Sequence, residues 1–331
     1  MKILITGSEG FFGSHLVERL LRSGLDVTCF VQYNSISSAG WLDDLSNTFP
    51  AIRKKLVFGD IRDLESVNRT MSGIDVCIHL AALIAIPYSY KNPRGYLETN
   101  TIGTLNVMES SLRNNVKRVI HVSTSEVYGT PRWIPISEEH PIQTQSPYSA
   151  SKAAADNVAM SYYYSFSLPV VILRPFNLFG PRQSTRAVIP SIITQALKQN
   201  SISLGSTLPR REFNYAPEIA EAFLKVALSD KGVGETYNVG NGTDLSIAQV
   251  VGLILELMNK DCKIIEDPER VRPQLSEVET LQSDSTKMHK EFDWKYGLSG
   301  LEGFKQGLIQ TIDWYSDSRN LSKFYSDEYG I

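Results

Sequence analysis

Charge of one sign is missing from this chain, and so are long apolar runs and most sulfur. Lysine and arginine (33) nearly balance aspartate and glutamate (36), giving a net charge of −3 over 331 residues. That balance leaves no basic footprint, so no nucleic-acid partner is expected. Apolar runs such as Leu80–Pro87 fall far short of the roughly 18 residues that cross a bilayer, and no membrane partner is expected either. Met1 leads straight into the strand-like run ILIT rather than into a secretory leader. Cysteine occurs only three times, and Cys29 and Cys77 lie inside apolar runs. An odd count in such surroundings reads as buried free thiols in a reducing compartment, so the chain is expected to be cytoplasmic. Five histidines without ligand spacing predict no metal site. What remains is 42% hydrophobic and 21% charged, which excludes a disordered or collagen-like chain and gives material for about two domains.

The first half alternates short apolar runs with longer amphipathic ones. Strands are expected at Lys2–Thr6, Asp26–Val31, Lys55–Phe58, Asp75–Leu80, Arg118–Ser123 and Pro169–Leu173. Helices are expected at Phe11–Arg22, Tyr96–Asn114 and Tyr148–Phe166. Nearly continuous apolar strands separated by helices of ten or more residues predict an α/β fold, a Rossmann-like doubly wound parallel sheet. After Pro175 the rhythm breaks, with proline and arginine in Gly180–Arg186 and Pro268–Pro273 around helical stretches such as Ile247–Met258. Residues 1–175 are therefore read as the dinucleotide-binding domain, its sheet completed by parts of 211–242. Residues 176–331 are read mainly as a smaller C-terminal substrate-binding lobe with an interleaved boundary. Beyond Ser316 the chain is polar and tyrosine-rich.

ITGSEGFFGSH sets Gly7, Gly10 and Gly13 three residues apart, directly after a strand and opening a helix. Glycine serves where the backbone turns sharply, where it meets a pyrophosphate and where helix packs on strand, and the helix N-terminus offers free N–H groups to the anion. The strand–turn–helix setting predicts a dinucleotide site. The second strand ends in Val31, followed by Gln32, Tyr33 and Asn34. No carboxylate for the adenosine ribose and no arginine for a 2′-phosphate stand there, which leaves NAD and NADP both open. Asp60, after the third strand, is read either as an adenine contact or as a helix N-cap.

Tyr148 and Lys152, four apart on a predicted helix, share one face. An ammonium beside a phenol lowers its pKa toward neutrality and makes it a usable base. Such a pair is often only a surface pair. Ser123, Thr124, Ser125 and Glu126 follow the preceding strand, however, where doubly wound folds place their active groups.

The glycine turn, HLAA (79–82), STSEVYG (123–129), YSASK (148–152) and RPFNLFGPR (174–182) together resemble the extended short-chain dehydrogenase/reductases that modify nucleotide sugars. YNSISSAGWLDDL, AIPYSYKNPRGYLETN, RQSTRAVIP and RVRPQLSEVE resemble more narrowly the configuration-retaining NDP-N-acetylglucosamine 4,6-dehydratases of legionaminic acid and bacillosamine-type pathways. The resemblance implies a catalytic set of Thr124, Ser125, Glu126, Tyr148 and Lys152. It implies a cofactor site, for NAD with NADP not excluded, of Gly7, Gly10, Phe11, Phe12, Gly13, Gln32, Tyr33, Asn34, Asp60, Ile61, Leu80, Ala81, Ala82 and Asn100 together with Tyr148 and Lys152. Substrate contacts are implied at Pro87, Asn177, Arg182, Val188, Arg211 and Arg272, the arginines suiting a diphosphate. Arg186 shares the loop of Arg182, while Arg210 is expected to stay on the surface. Many relatives carry Thr-Asp-Glu where this chain has Thr124, Ser125 and Glu126, which leaves open the acid that protonates the departing hydroxyl. Ala216-Pro217-Glu218 also departs from the family's pattern, and its helix is expected to start differently.

The resemblance thus implies a nucleotide-sugar 4,6-dehydratase acting on an NDP-N-acetylhexosamine such as UDP- or GDP-GlcNAc. The alternatives are a UDP-glucuronate decarboxylase, an NDP-sugar 4-epimerase or a catalytically silent sugar-nucleotide-binding protein. A base at carbon 5, Glu126, separates the dehydratase from the epimerase. Apolar residues on more than one side of the Tyr96–Asn114 and Tyr148–Phe166 helices (Leu97, Leu105, Met108; Ala153, Val158, Tyr162) predict a homodimer built on a four-helix contact.

Overall fold

The computed structural model describes residues 1–324. Its first half runs β1 (Lys2–Thr6), α1 (Phe11–Arg22), β2 (Asp26–Gln32), α2 (Trp41–Leu45), β3 (Leu56–Gly59), α3 (Leu64–Met71), β4 (Val76–His79), α4 (Ile86–Lys91), α5 (Pro93–Tyr96), α6 (Gly103–Arg113), β5 (Arg118–Val122), α7 (Pro147–Phe166) and β6 (Val170–Pro175). The second half runs β7 (Leu178–Phe179), α8 (Val188–Lys198), β8 (Ser201–Leu204), β9 (Arg210–Glu212), β10 (Asn214–Tyr215), α9 (Ala216–Ala227), β11 (Thr236–Val239), β12 (Asp244–Ser246), α10 (Ile247–Met258), β13 (Lys263–Glu266), β14 (Thr280–Leu281), α11 (Thr286–Phe292), α12 (Gly300–Ser316) and α13 (Ser318–Leu321).

Seven strands form one sheet in the order β11-β6-β5-β4-β1-β2-β3, every pair parallel. Ile3, Leu4 and Ile5 are fully buried on both faces, as a sheet covered by helices on each side requires. Leu16, Val17 and Leu20 of α1 pack on one face with Ile219 and Phe223 of α9. Val67, Val107, Met108 and Ala159, from α3, α6 and α7, cover the other. The strand order turns back at β1, between β2 and β4, so the crevice above their carboxyl ends is the place for a ligand.

A separate apolar cluster of Ile189, Ile192, Ile202, Val250, Ile254, Phe304 and Leu308 binds α8, β8, α10 and α12 together. Three small sheets, β7 with β10, β9 with β12 and β14, and β8 with β13, connect this cluster to the main sheet. Cys29, Cys77 and Cys262 are buried free thiols, and burial pushes Cys29 and Cys77 up to about 12. Among the described residues no helix is long and apolar enough to cross a membrane.

One element departs from the expected pattern. The helix read over Tyr96–Asn114 is interrupted by a wide π turn at Leu97–Ile102, within which Asn100 is fully buried. Asn100 Oδ1 accepts from Leu83 N (2.8 Å) and its Nδ2 donates to Leu83 O (3.0 Å) and Ser151 Oγ (2.9 Å). The wide turn sets that amide between β4's exit and α7, at a place where such bulges often serve function. The segment Ala216-Pro217-Glu218 opens α9, with Pro217 in the first turn, where its missing N–H costs nothing.

Candidate active site

The glycine turn is built as the spacing predicts. Gly7 has φ of 68°, and a Cβ there would lie 2.8 Å from the backbone of Ala81. A Cβ on Gly13 would meet Gly7 O at 2.2 Å. Only glycine lets β1, α1 and β4's exit approach this closely. The N–H groups of Phe11, Phe12 and Gly13 open α1 without intrahelical acceptors, as in an anion site. Thr6 ties β1 to β4: its Oγ1 bonds His79 Nδ1 (2.8 Å) and accepts from Ala81 N (3.2 Å), so Leu80, Ala81 and Ala82 edge the same crevice. These features fit a dinucleotide.

The adenosine end is less uniform. Gln32 and Tyr33 project into solvent, while Asn34 bonds Gln32 O and Ser38 O and stays local. Asp60 is held by Arg62 at 2.6 Å, which lowers its pKa, and the N-cap of α3 is Asp63 rather than Asp60. Ile61 is buried, its carbonyl accepting from Asn106. One carboxylate at this end escaped the sequence reading: Glu9, inside the turn, whose Oε1 accepts from Gln32 N at 2.9 Å.

Thr124, Ser125, Glu126, Tyr148 and Lys152 gather at the carboxyl end of β5, all under 10% exposed. Ser146 caps α7 with a reciprocal bond to Ser149, which fixes the helix start and so the position of Tyr148. Tyr148 hydrogen-bonds Thr124, whose Oγ1 also accepts from Glu126 N at 3.2 Å. Tyr96 meets the Tyr148 ring edge-on at 6.2 Å, and Ile86 completes an apolar wall that the sequence did not reveal.

The electrostatics correct one expectation. Lys152 was expected to draw the Tyr148 phenol toward neutrality. Its Nζ instead donates to Val122 O at 2.7 Å, and burial pushes the phenol well above its usual range, with Thr124's bond opposing and Glu126's charge assisting the rise. Burial also lowers Lys152 to about 8, with Asp156 opposing that fall. The third residue of this helical stripe is Asp156. It takes His121 Nε2 (3.1 Å), Ser123 Oγ (2.8 Å) and two nitrogens of Arg174 (2.9 and 3.2 Å). Despite burial these partners hold its carboxyl down at about 2. Arg174 continues to Tyr128 Oη (3.0 Å), which donates to Asn238.

The predicted substrate residues divide. Arg211 and Arg272 converge on Glu277, at 2.8 and 3.6 Å. Arg211 is buried and lies close enough to Glu126 to feel its charge. Asn177 Nδ2 reaches Glu212 O at 3.4 Å, while Pro87 and Val188 stand in the first turns of α4 and α8. Arg182 turns the other way, with its Nη2 on Glu18 Oε2 at 2.6 Å and Nη1 near Ser14. Arg186 is exposed, and Arg210 pairs with Asp244 at the surface.

Known proteins place this arrangement. A family model described as GDP-mannose 4,6 dehydratase matches residues 4–306. The chain is 31% identical over 324 residues to a dTDP-glucose 4,6-dehydratase of Streptomyces niveus, covering 96% of this chain and 94% of that protein. It is 32% identical over 316 residues to the low-salt glycan biosynthesis protein Agl12 of Haloferax volcanii, covering 95% and 98%. The structure of the dTDP-glucose 4,6-dehydratase DesIV from Streptomyces venezuelae, solved with NAD bound, superposes with a TM-score of 0.85 at 30% identity, covering 97% of this chain and 98% of that one. With its glycine turn, its Tyr148–Lys152 stripe and its nucleotide-sugar dehydratase relatives, the chain belongs to the GDP-mannose 4,6 dehydratase family, within the extended short-chain dehydrogenase/reductases.

Proposed function

We propose that the protein is an NAD-dependent nucleotide-sugar 4,6-dehydratase that takes an NDP-N-acetylhexosamine, UDP- or GDP-GlcNAc, to its 4-keto-6-deoxy derivative. The observation that carries the reaction is Glu126, a buried carboxylate beside Tyr148 at the end of β5. The narrower substrate rests on the segments at 33–45, 85–100, 183–190 and 270–279. The Streptomyces dehydratases named above bear dTDP-glucose names, so dTDP-glucose stands beside the N-acetylhexosamines as a competitor.

The glycine turn, the α1 N-terminus and Leu80–Ala82 would hold NAD, which when bound supplies the hydride acceptor for carbon 4 and the donor for carbon 6. Thr124 hydrogen-bonds Tyr148 and Lys152 ties α7 to β5 through Val122 O; the Tyr148 oxygen, once deprotonated, takes the proton of the sugar's 4-hydroxyl. Once carbon 4 is a ketone, the carbon 5 hydrogen is acidic and Glu126 removes it. Ser125, fully buried, stands where many relatives have aspartate, and a serine hydroxyl is too weak an acid to protonate a departing hydroxyl. Glu126 therefore acts twice, passing on to the leaving group the proton it has gained. Arg211 and Arg272 hold the diphosphate, displacing Glu277 from between them. Residues 1–175 with β11 form the cofactor domain, and 176–324 mainly form the lobe over the sugar nucleotide. Exposed Leu97, Ile102, Tyr164 and Phe166 on the α6 and α7 side favour a homodimer, and the buried thiols favour the cytoplasm.

Glu126→Gln tests the assignment. An amide cannot take the carbon 5 proton, whereas oxidation at carbon 4 rests on Tyr148 and Lys152. The variant is expected to accumulate reduced nicotinamide, seen by its near-ultraviolet absorbance, while product falls by a factor of about 100 to 10,000. Dehydration at near wild-type rate would remove Glu126 as the base. Mass spectrometry of wild-type products from UDP-GlcNAc, GDP-GlcNAc and dTDP-glucose settles the substrate. Loss of water marks a dehydratase, loss of carbon dioxide from UDP-glucuronate marks a decarboxylase, and an unchanged mass leaves an epimerase.

A further inference from the structure

In a doubly wound dinucleotide fold the adenosine ribose is met by an acid at the end of the second strand, and that acid repels a 2′-phosphate. Here β2 ends in Gln32, followed by Tyr33 and Asn34. None is acidic, and the Asn34 side chain is already spent on Gln32 O and Ser38 O. Glu9 reaches that position from the neighbouring glycine turn. Its Oε1 is pinned by Gln32 N at 2.9 Å, so the carboxylate lies across the end of β2, one residue before Gly10 and the opening of α1. The loop after β2 closes over it: Trp41 N donates to Glu9 O (3.2 Å), and a Cβ on Gly40 would stand 2.8 Å from that oxygen.

The other acids nearby are committed. Asp60 is paired with Arg62, and Asp43 Oδ2 accepts from Ala39 N and Ser38 Oγ. Glu9 is not, because its Oε2 is buried with no hydrogen-bond partner among the described residues. Burial raises its pKa, with backbone N–H groups the opposing influence. A buried carboxylate oxygen without a donor is costly, and a small turn of the Glu9 side chain toward the crevice would offer it to a ligand hydroxyl.

We propose that Glu9 receives the adenosine ribose hydroxyls of the cofactor and makes the enzyme selective for NAD over NADP, the acid being supplied by the glycine turn instead of by the end of β2. The inference rests on the cofactor part of the proposed function and is independent of the sugar chemistry.

Equilibrium binding of NAD, NADP, ADP-ribose and 2′-phospho-ADP-ribose to the cofactor-stripped full-length enzyme, without sugar nucleotide, is the test. Wild type is expected to prefer the unphosphorylated partner of each pair by roughly tenfold or more. Glu9→Gln keeps an acceptor for Gln32 N but loses the charge. It is expected to weaken NAD by about tenfold while leaving NADP unweakened, so the preference collapses. Glu9→Gln with Gln32→Asp, which returns an acid at the strand end, is expected to restore it. An equal fall for NAD and NADP in Glu9→Gln would mark a structural residue and overturn the proposal. So would wild-type enzyme that binds ADP-ribose and its 2′-phosphate equally, a result that stands even if the variants do not fold. Failure of the dehydratase assignment would leave these affinities as they are.

Discussion

Asp156→Asn should be among the most costly single substitutions in this protein. The carboxylate is 5% exposed and holds three groups at once: His121, Ser123 and the guanidinium of Arg174. Asparagine keeps the shape but removes the charge and turns an N–H₂ toward donors. Arg174, itself 7% exposed, then loses its countercharge and keeps only neutral partners, the new amide oxygen at best and the Tyr128 hydroxyl and ring. Removing one member of a buried ion pair costs roughly 3–5 kcal/mol, chiefly through the charge left behind. Across 331 residues the unfolding entropy is large enough that this loss lowers Tm by only about 4–7 °C. Urea unfolding followed by circular dichroism is therefore the better assay. The pH dependence gives an independent check. A carboxyl held at about 2 instead of about 3.9 contributes stability that is fully present above pH 4 or so. That contribution, roughly 2–3 kcal/mol, disappears as pH falls from about 4 to about 2. Wild type should lose it in that window, and Asp156→Asn should lack that part of the decline. A cost below about 1 kcal/mol at neutral pH, with the acid profile unchanged, would refute the reasoning.

Tyr148→Phe should fold normally and fail to form reduced nicotinamide with substrate, because only the proton acceptor at carbon 4 is gone; appreciable turnover would exclude Tyr148 from the chemistry. Lys152 sits near 8 because of burial, so kcat should fall as pH rises through about 8 and the ammonium is lost, and Asp156→Asn should move that limb to lower pH. A flat alkaline profile in steady-state rates would contradict this role. Arg211→Ala removes a buried guanidinium from the proposed diphosphate contact and should raise KM for the sugar nucleotide by roughly 10- to 100-fold with a smaller effect on kcat; unchanged KM would place the diphosphate elsewhere.

The sheet was legible because its strands are apolar on both faces and its helices repeat at 3.6 residues, signals that depend on neighbours in sequence. The lobe was not. β7, β9, β10, β12 and β14 are two or three residues long, too short to carry a period, and they exist only because distant partners pair with them. β9, for example, lies antiparallel to β12 and parallel to β14. The π turn at Leu97–Ile102 was hidden for a related reason. Its helix propensities are mixed, Leu97 and Glu98 high and Thr99, Asn100 and Thr101 low, and the bonds Asn100 makes to Leu83 and Ser151 in the wide turn join residues far apart in sequence.

Within the site, the same division separates what a residue is from what it touches. Tyr148 and Lys152 were found by spacing, and spacing does put them on one stripe of α7, with Asp156 one turn further on. Spacing could not show that Lys152 would donate to Val122 O, since that bond is set by how deeply α7 packs on β5. Nor could it give the direction of the phenol's shift. Burial opposes the charge on tyrosinate, and a neighbouring ammonium favours it only when it faces the oxygen. Arg182 illustrates the same point for the substrate residues. Its motif is intact, yet it has a positive φ of 71° and its side chain runs to Glu18 on α1. Arg211 stands in the strand β9 and is drawn inward beside Glu126. A guanidinium has five donors and one long stem, so the fold that surrounds it, more than its motif, decides which anion it meets.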